Sequence, residues 1–156
     1  MAGSVRDERA GVLLRRYRER FGGRDLPVPV VSLAEDLLGL NVERTELDVS
    51  GMLLPAERRI LVNATESELR QRFTIAHEVG HWVCQCVSGS AAPFYCRPQD
   101  VSTAADRALE REANVFAAEL LMPEDAVRAQ SENVFGVSDL AYRWRLYSFG
   151  LGDAPA

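Results

Sequence analysis

Arg72-Phe73-Thr74-Ile75-Ala76-His77-Glu78-Val79-Gly80-His81 is the stretch on which the reading of this chain turns. It contains the pattern H-E-x-x-H, and its two histidines are the only two in the chain. Just ahead of it Thr65 and Glu68 offer a capping box, and Leu69, Phe73, Ala76, Gly80 and Val83 recur on successive turns as far as Gln85. The spacing predicts one long buried helix. Four residues turn an α-helix by about 400°, so His77 and His81 project from one face and can share a Zn2+ at ~2.0–2.1 Å. Glu78 lies about 100° round from His77, beside such an ion, where its carboxylate can act as general base toward water rather than as a ligand.

A catalytic zinc takes three protein ligands and keeps one position open, and no histidine remains for the third. The metzincin pattern needs glycine at 84 and histidine at 87, where Cys84 and Val87 stand, so that class is excluded. A carboxylate is therefore the leading candidate. On a helix predicted from about Thr103 to Leu121, the apolar face is Ala113, Phe116, Ala117, Leu120 and Leu121. Glu110 falls about 50° from the centre of that face and Glu112 about 110°. Because an inward carboxylate is costly unless paired, Glu110 is the favoured ligand and Glu112 the alternative. Cys84 shares a face with His77, but seven residues rise about 10.5 Å, too far for one tetrahedral ion to gather three successive turns. A packed, buried thiol is the expectation, with redox control through Cys86 or Cys96 as the other reading.

The rest of the chain sets the frame. Its 156 residues, 47% apolar and 26% charged, suit one globular domain spanning 1–156 and exclude wholesale disorder. No apolar run approaches the ~18 residues of a membrane span, and the first twenty residues are too charged for a signal peptide. Three cysteines without an export signal argue for reduced thiols, so a cytoplasmic protein is expected. A net charge of −5 disfavours nonspecific attachment to phosphate backbones, so neither direct nucleic-acid binding nor membrane binding is expected. An amphipathic helix over 4–21 is expected to be stopped by Gly22-Gly23, and its arginines read as a solvated face, with a phosphate-binding face as the other reading. Ser32 and Glu35 form a capping box for a short helix closed by Gly39. Asn41 to Thr45, Gly51 to Leu54 and Arg59 to Val62 read as strands of a small antiparallel sheet, and Ser88 to Ser102 as a long loop. The zinc core then covers about 31–123, followed by C-terminal helices over 123–149 that Pro123 opens and Ser138 caps. The class is α+β, a small antiparallel sheet on a mostly helical domain.

Two blocks, Arg72 to His81 and Glu110-Arg111-Glu112-Ala113-Asn114-Val115-Phe116-Ala117-Ala118-Glu119-Leu120-Leu121-Met122-Pro123, resemble the ImmA/IrrE family of metallopeptidases. The similarity runs from Val31 to Ser138. The resemblance implies a minimal gluzincin-like domain with Zn2+, replaceable by Mn2+ in vitro, on His77, His81 and Glu110, and with Glu78 as the catalytic base. It also implies that Asn114 accepts a hydrogen bond from a ligand imidazole, and that the substrate is a helix-turn-helix repressor whose cleavage relieves repression in a mobile element or a stress response. The alternative is a zinc-containing regulator that binds a repressor or DNA without cutting; Glu78 discriminates, since a closed structural site has no use for a base. Tyr95, Arg97, Tyr142 and Arg143 are candidates to stabilise the oxyanion. Arg59 to Val62 is expected to offer an edge for an extended peptide. Phe135 to Ser138, with the helix that follows, has a helix-turn-helix flavour but few arginines for phosphate.

Overall fold

The computed structural model describes residues 8–23, 26–86, 94–95 and 104–155. Helix α1 (Glu8–Phe21) buries Ala10, Leu13 and Leu14 and turns its arginines outward. Helix α2 (Val30–Ser32) runs on as a π turn over Leu33–Leu37 and ends at Gly39, whose φ of 69° suits a residue without a Cβ. Ser32 does not cap it. Pro29 holds the cap position, where its missing N–H costs nothing, so the helix begins earlier than predicted. Ser32 instead donates to Asp36 (2.6 Å) and shares a hydrogen bond with Tyr17 (2.8 Å).

Strands β1 (Asn41–Thr45), β2 (Gly51–Leu54), β3 (Arg59–Asn63) and β4 (Phe94–Tyr95) form one sheet in the order β1-β3-β2-β4. β2 and β3 are an antiparallel hairpin, closed by a 3-10 turn at Pro55–Glu57 and a left-handed Arg58. β1 runs parallel to β3, Asn41 opposite Arg59 through Thr45 opposite Asn63. The sheet is thus mixed, not antiparallel. β1 and β2 point in opposite directions, and a third strand inserted between them must run parallel to one. A second expectation falls with the first: Arg59 to Val62 is interior to the sheet, with both edges hydrogen-bonded, so it offers no edge to a peptide.

Gly51, Leu53, Ile60 and Val62 make the buried face of the hairpin, and helix α3 (Glu68–His81) packs on it. Ser67, not Thr65, caps α3, its Oγ accepting the Arg70 N–H at 3.2 Å. Thr65 is engaged elsewhere, since its amide and hydroxyl both donate to Asn63 Oδ1. Beyond His81 the helix widens into a π turn over Trp82–Cys86. Helix α4 (Ala104–Leu121) crosses α3 and buries Ala113, Phe116, Ala117, Leu120 and Leu121 completely. The crossing depends on Gly80: a Cβ there would stand 3.0 Å from the Ala113 carbonyl oxygen and 3.3 Å from Phe116 Cδ1.

Helices α5 (Glu124–Ala129) and α6 (Asp139–Ser148) complete the α+β fold, α6 capped by Ser138 as its sequence predicts. Arg72, on α3, ties this end down by donating to the carbonyls of Val28 (3.0 Å), Gly136 (3.1 Å) and Phe135 (3.3 Å). Phe135 is fully buried, so the turn with helix-turn-helix flavour is anchored in the core. Among the described residues no helix is long and apolar enough to cross a membrane.

Candidate metal centre

The helical phase that predicts a shared face for His77 and His81 is realised in α3. Their rings meet edge to face with centroids 4.7 Å apart, and their Nε2 atoms stand 3.1 Å from each other. Glu110, on α4, reaches across to both. Its Oε2 lies 2.9 Å from His77 Nε2 and its Oε1 3.0 Å from His81 Nε2. Ligands around a tetrahedral ion with ~2.0–2.1 Å bonds stand about 3.3 Å apart, so three atoms 2.9–3.1 Å apart form a cradle of the right size. Two imidazoles and one carboxylate are also a donor set that suits a borderline divalent ion. Among the described residues this trio alone can gather round a metal ion.

Burial grades across the site. The His81 side chain is wholly buried, that of His77 is 6% exposed, and that of Glu110, the most accessible of the three, is 24% exposed. Burial works to raise the Glu110 carboxyl, but hydrogen bonds from His77 and His81, and then their charges, overcome it and hold it at about 2. His81 is displaced the other way: burial works to lower it, while Glu110, the charge of Glu78 and Gln85 raise it. A carboxylate kept ionised beside two imidazoles leaves its electron pairs for a cation.

Glu78 is fully buried beside β2, where its Oε1 lies 3.7 Å from the place a Cβ on Gly51 would occupy, and its charge acts on His81. Gly51 lets the β2 backbone run this close. A Cβ there would also stand 2.4 Å from Thr74 Cγ2. Glu112, the alternative ligand, is not among the three that converge; it accepts one hydrogen bond from Gln85 Nε2 (3.3 Å) and makes an ion pair with Arg9 (3.4 Å).

Asn114 does not meet an imidazole. It is exposed on α4, because at this level Ala113 makes the contact with α3 and Asn114 lies about 100° further round. The residue behind His81 is Gln85, whose Oε1 lies 2.6 Å from His81 Nδ1. Sequence reasoning passed it over, although a polar side chain four residues past a ligand histidine on a buried face is a readable signal. Cys84 is a buried thiol in the hydrophobic core and Cys86 a half-buried one, pushed up to about 11 by burial and then by the charge of Glu78. Of the oxyanion candidates, Tyr142 packs on Phe135 with centroids 5.8 Å apart and Arg143 is exposed. Arg97, Cys96 and the Tyr95 side chain lie outside the described residues.

H-E-x-x-H on one helix and a carboxylate on a crossing helix thus bring together, in an α+β domain, three side chains that could hold a metal ion. The model of the IrrE N-terminal-like domain, Peptidase_M78, matches residues 35–147, and the chain belongs to that family. None of the curated proteins matches it. Among solved structures, a Mycobacterium tuberculosis transcriptional regulator superposes with a TM-score of 0.62 at 19% identity, over 89% of this chain and 46% of the other. At that identity the likeness is one of fold. The chain spans less than half the length of that regulator.

Proposed function

We propose that this domain is a zinc-dependent endopeptidase that makes a limited cut in a regulatory protein, a helix-turn-helix repressor. The observation that supports it most is Glu78, a fully buried carboxylate adjacent in sequence to a ligand yet not among the three that converge. A structural zinc site is closed by four ligands and has no role for such a group. His77, His81 and Glu110 would hold the ion. Zn2+ bound there supplies Lewis acidity, polarising a carbonyl and bringing the pKa of water toward ~7.

The chain's own residues account for the rest. Glu78 takes the proton of the attacking water on its carboxylate and returns it to the departing amine nitrogen. Gly51 keeps the β2 backbone beside that carboxylate without a side chain to obstruct it. Glu110, at 24% exposed, is the most accessible of the three, which supports approach of a peptide from its side. Such a small domain has little surface for enclosing a folded protein, so it should act on an extended segment that its substrate exposes by local opening.

The second reading is a regulator that holds the metal without cutting, favoured by the name of the longer structural neighbour, a transcriptional regulator. One experiment separates the two. Purified protein with zinc is incubated with the repressor encoded beside its gene, and fragments are read by mass spectrometry. Wild type should cut at one or a few sites in a flexible stretch. Glu78→Gln should keep its metal and lose ~10²–10⁴-fold in turnover, since the amide cannot accept the proton. Equal degradation of casein, or cuts inside rigid helices, contradict the limited-cut reading. A wild type that never cuts, with Glu78→Gln still relieving repression in cells, establishes the regulator.

A further inference from the structure

Among the described residues, of the two imidazoles only His81 is held from behind. His77 Nδ1 is buried and finds no hydrogen-bond partner among them, whereas His81 Nδ1 lies 2.6 Å from Gln85 Oε1. Gln85 is 7% exposed and stands four residues past His81, in the π turn. A π turn closes i to i+5 and turns the chain less per residue than an α-helix, which keeps residue 85 more nearly in line with residue 81. The other end of the amide is also engaged, Gln85 Nε2 donating to Glu112 Oε1 at 3.3 Å.

We propose that Gln85 is a positioning residue of the metal centre, which holds the His81 ring with its Nε2 turned to the ion, and that Glu112 fixes which way the Gln85 amide faces. The inference rests on the reading that His77, His81 and Glu110 bind zinc. Its logic is a chain of donors and acceptors. An ionised carboxylate only accepts, so the Glu112 side must meet the amide NH2. The amide oxygen is then turned to His81, and an oxygen there requires a proton on Nδ1. With the proton on Nδ1, the Nε2 electron pair is the one available to a metal. Glu112 is itself steadied by Arg9 of α1 at 3.4 Å, but both side chains of that pair are more than 40% exposed and add little.

The test is zinc affinity measured by chelator competition on the full chain, with the absorption spectrum of the Co2+-loaded protein as a second readout of ligand geometry. Gln85→Leu keeps the bulk and removes the acceptor. It should weaken zinc binding about 10–100-fold, the usual cost of removing a partner behind a ligand histidine, and shift the Co2+ bands. Gln85→Glu, made together with Glu112→Ala so that two carboxylates do not face each other, restores an acceptor toward Nδ1 and should bind at least tenfold tighter than Gln85→Leu. Glu112→Ala changes a half-exposed residue with little risk to folding and should give a smaller loss, about three- to tenfold, by freeing the amide to turn over. In isotope-labelled, zinc-loaded protein the His81 Nδ1 proton should be protected from exchange in wild type and lose that protection in Gln85→Leu. The proposal is overturned if Gln85→Leu binds within threefold of wild type with an unchanged spectrum, or if the Gln85→Glu, Glu112→Ala double variant is as weak as Gln85→Leu, which would make the role one of packing. Should Gln85→Leu fail to fold, Glu112→Ala with wild-type affinity and wild-type protection of that proton overturns it. A wild type that binds no zinc defeats the metal reading itself, a result distinct from any of these.

Discussion

Replacing Gly80 by alanine should weaken the metal centre without touching a ligand. The added Cβ would stand 3.0 Å from the Ala113 carbonyl oxygen, 3.2 Å from Ala113 Cα and 3.3 Å from Phe116 Cδ1. Two of those atoms are backbone and cannot rotate aside, so α4 must move off α3 by a few tenths of an ångström. Alanine gains ~0.8–1.0 kcal/mol of helix propensity over glycine, while overpacking a close contact costs ~1–3 kcal/mol, for a net loss of about 1 kcal/mol. For a domain of this size that lowers the melting temperature by ~2–4 °C. The same displacement carries Glu110, one turn before Ala113 on α4, away from His77 and His81, which now hold it at 2.9–3.0 Å. Zinc affinity should fall about tenfold, as when the support of a ligand is disturbed. Gly11→Ala is the control: on α1, with nothing within 4 Å of its Cβ, it should stabilise by up to ~1 kcal/mol and leave zinc affinity alone. Thermal unfolding with chelator present, paired with chelator competition for zinc, measures both effects. A Gly80→Ala variant that melts higher than wild type and binds zinc equally well would refute the close-approach argument.

Two further outcomes follow from the charges around the site and from Arg72. In the metal-free protein Glu110 is held at about 2, below its ordinary 4.5, so its contribution is present above 4.5 and lost as pH falls toward 2; His81 is raised above 6.5, so its contribution is full below 6.5 and lost as pH rises through its folded value. Melting temperature with chelator present should therefore peak between pH 4.5 and 6.5, and Glu110→Gln should flatten that peak; a wild-type maximum above pH 8 would contradict the pairing. Arg72→Leu strands the carbonyls of Val28, Phe135 and Gly136 and should cost about 3 kcal/mol, read as a lower urea midpoint at unchanged slope; a loss under ~0.5 kcal/mol would show that the C-terminal segment holds without it.

Elements whose signal is local were legible in the sequence. Ser138 caps α6, its hydroxyl accepting the Ala141 N–H at 3.1 Å, and Gly39 ends α2 because its φ of 69° suits glycine. Where a neighbour competes, the local reading slipped. Thr65 carries a good capping signature, yet Asn63 takes its hydroxyl at 2.7 Å, and the cap passes to Ser67. The parallel pairing of β1 with β3 was out of reach for a related reason. Each strand announces itself by its own residues, but the order β1-β3-β2-β4 is decided by which strand the buried faces of Ile60 and Val62 draw between the other two.

The site divides along the same line. His77, His81 and Glu110 were readable because a helix is periodic, so four residues along α3, and fifty degrees from the apolar centre of α4, translate directly into direction. Asn114 and Gln85 were missed for different reasons. Asn114 stands four residues past Glu110, near the same side, but about 100° round from Ala113, which makes the contact with α3, so it is left exposed. Gln85 carries the same four-residue spacing from His81 that His81 carries from His77, but it lies in a π turn where an α-helix was expected. The departure from the α-helix begins directly after His81, at Trp82, and Cys84 and Gln85 are its buried members. The buried amide of Gln85, set in that turn, reaches both His81 and Glu112, so the segment that follows the histidines also supplies the polar partner behind the second imidazole.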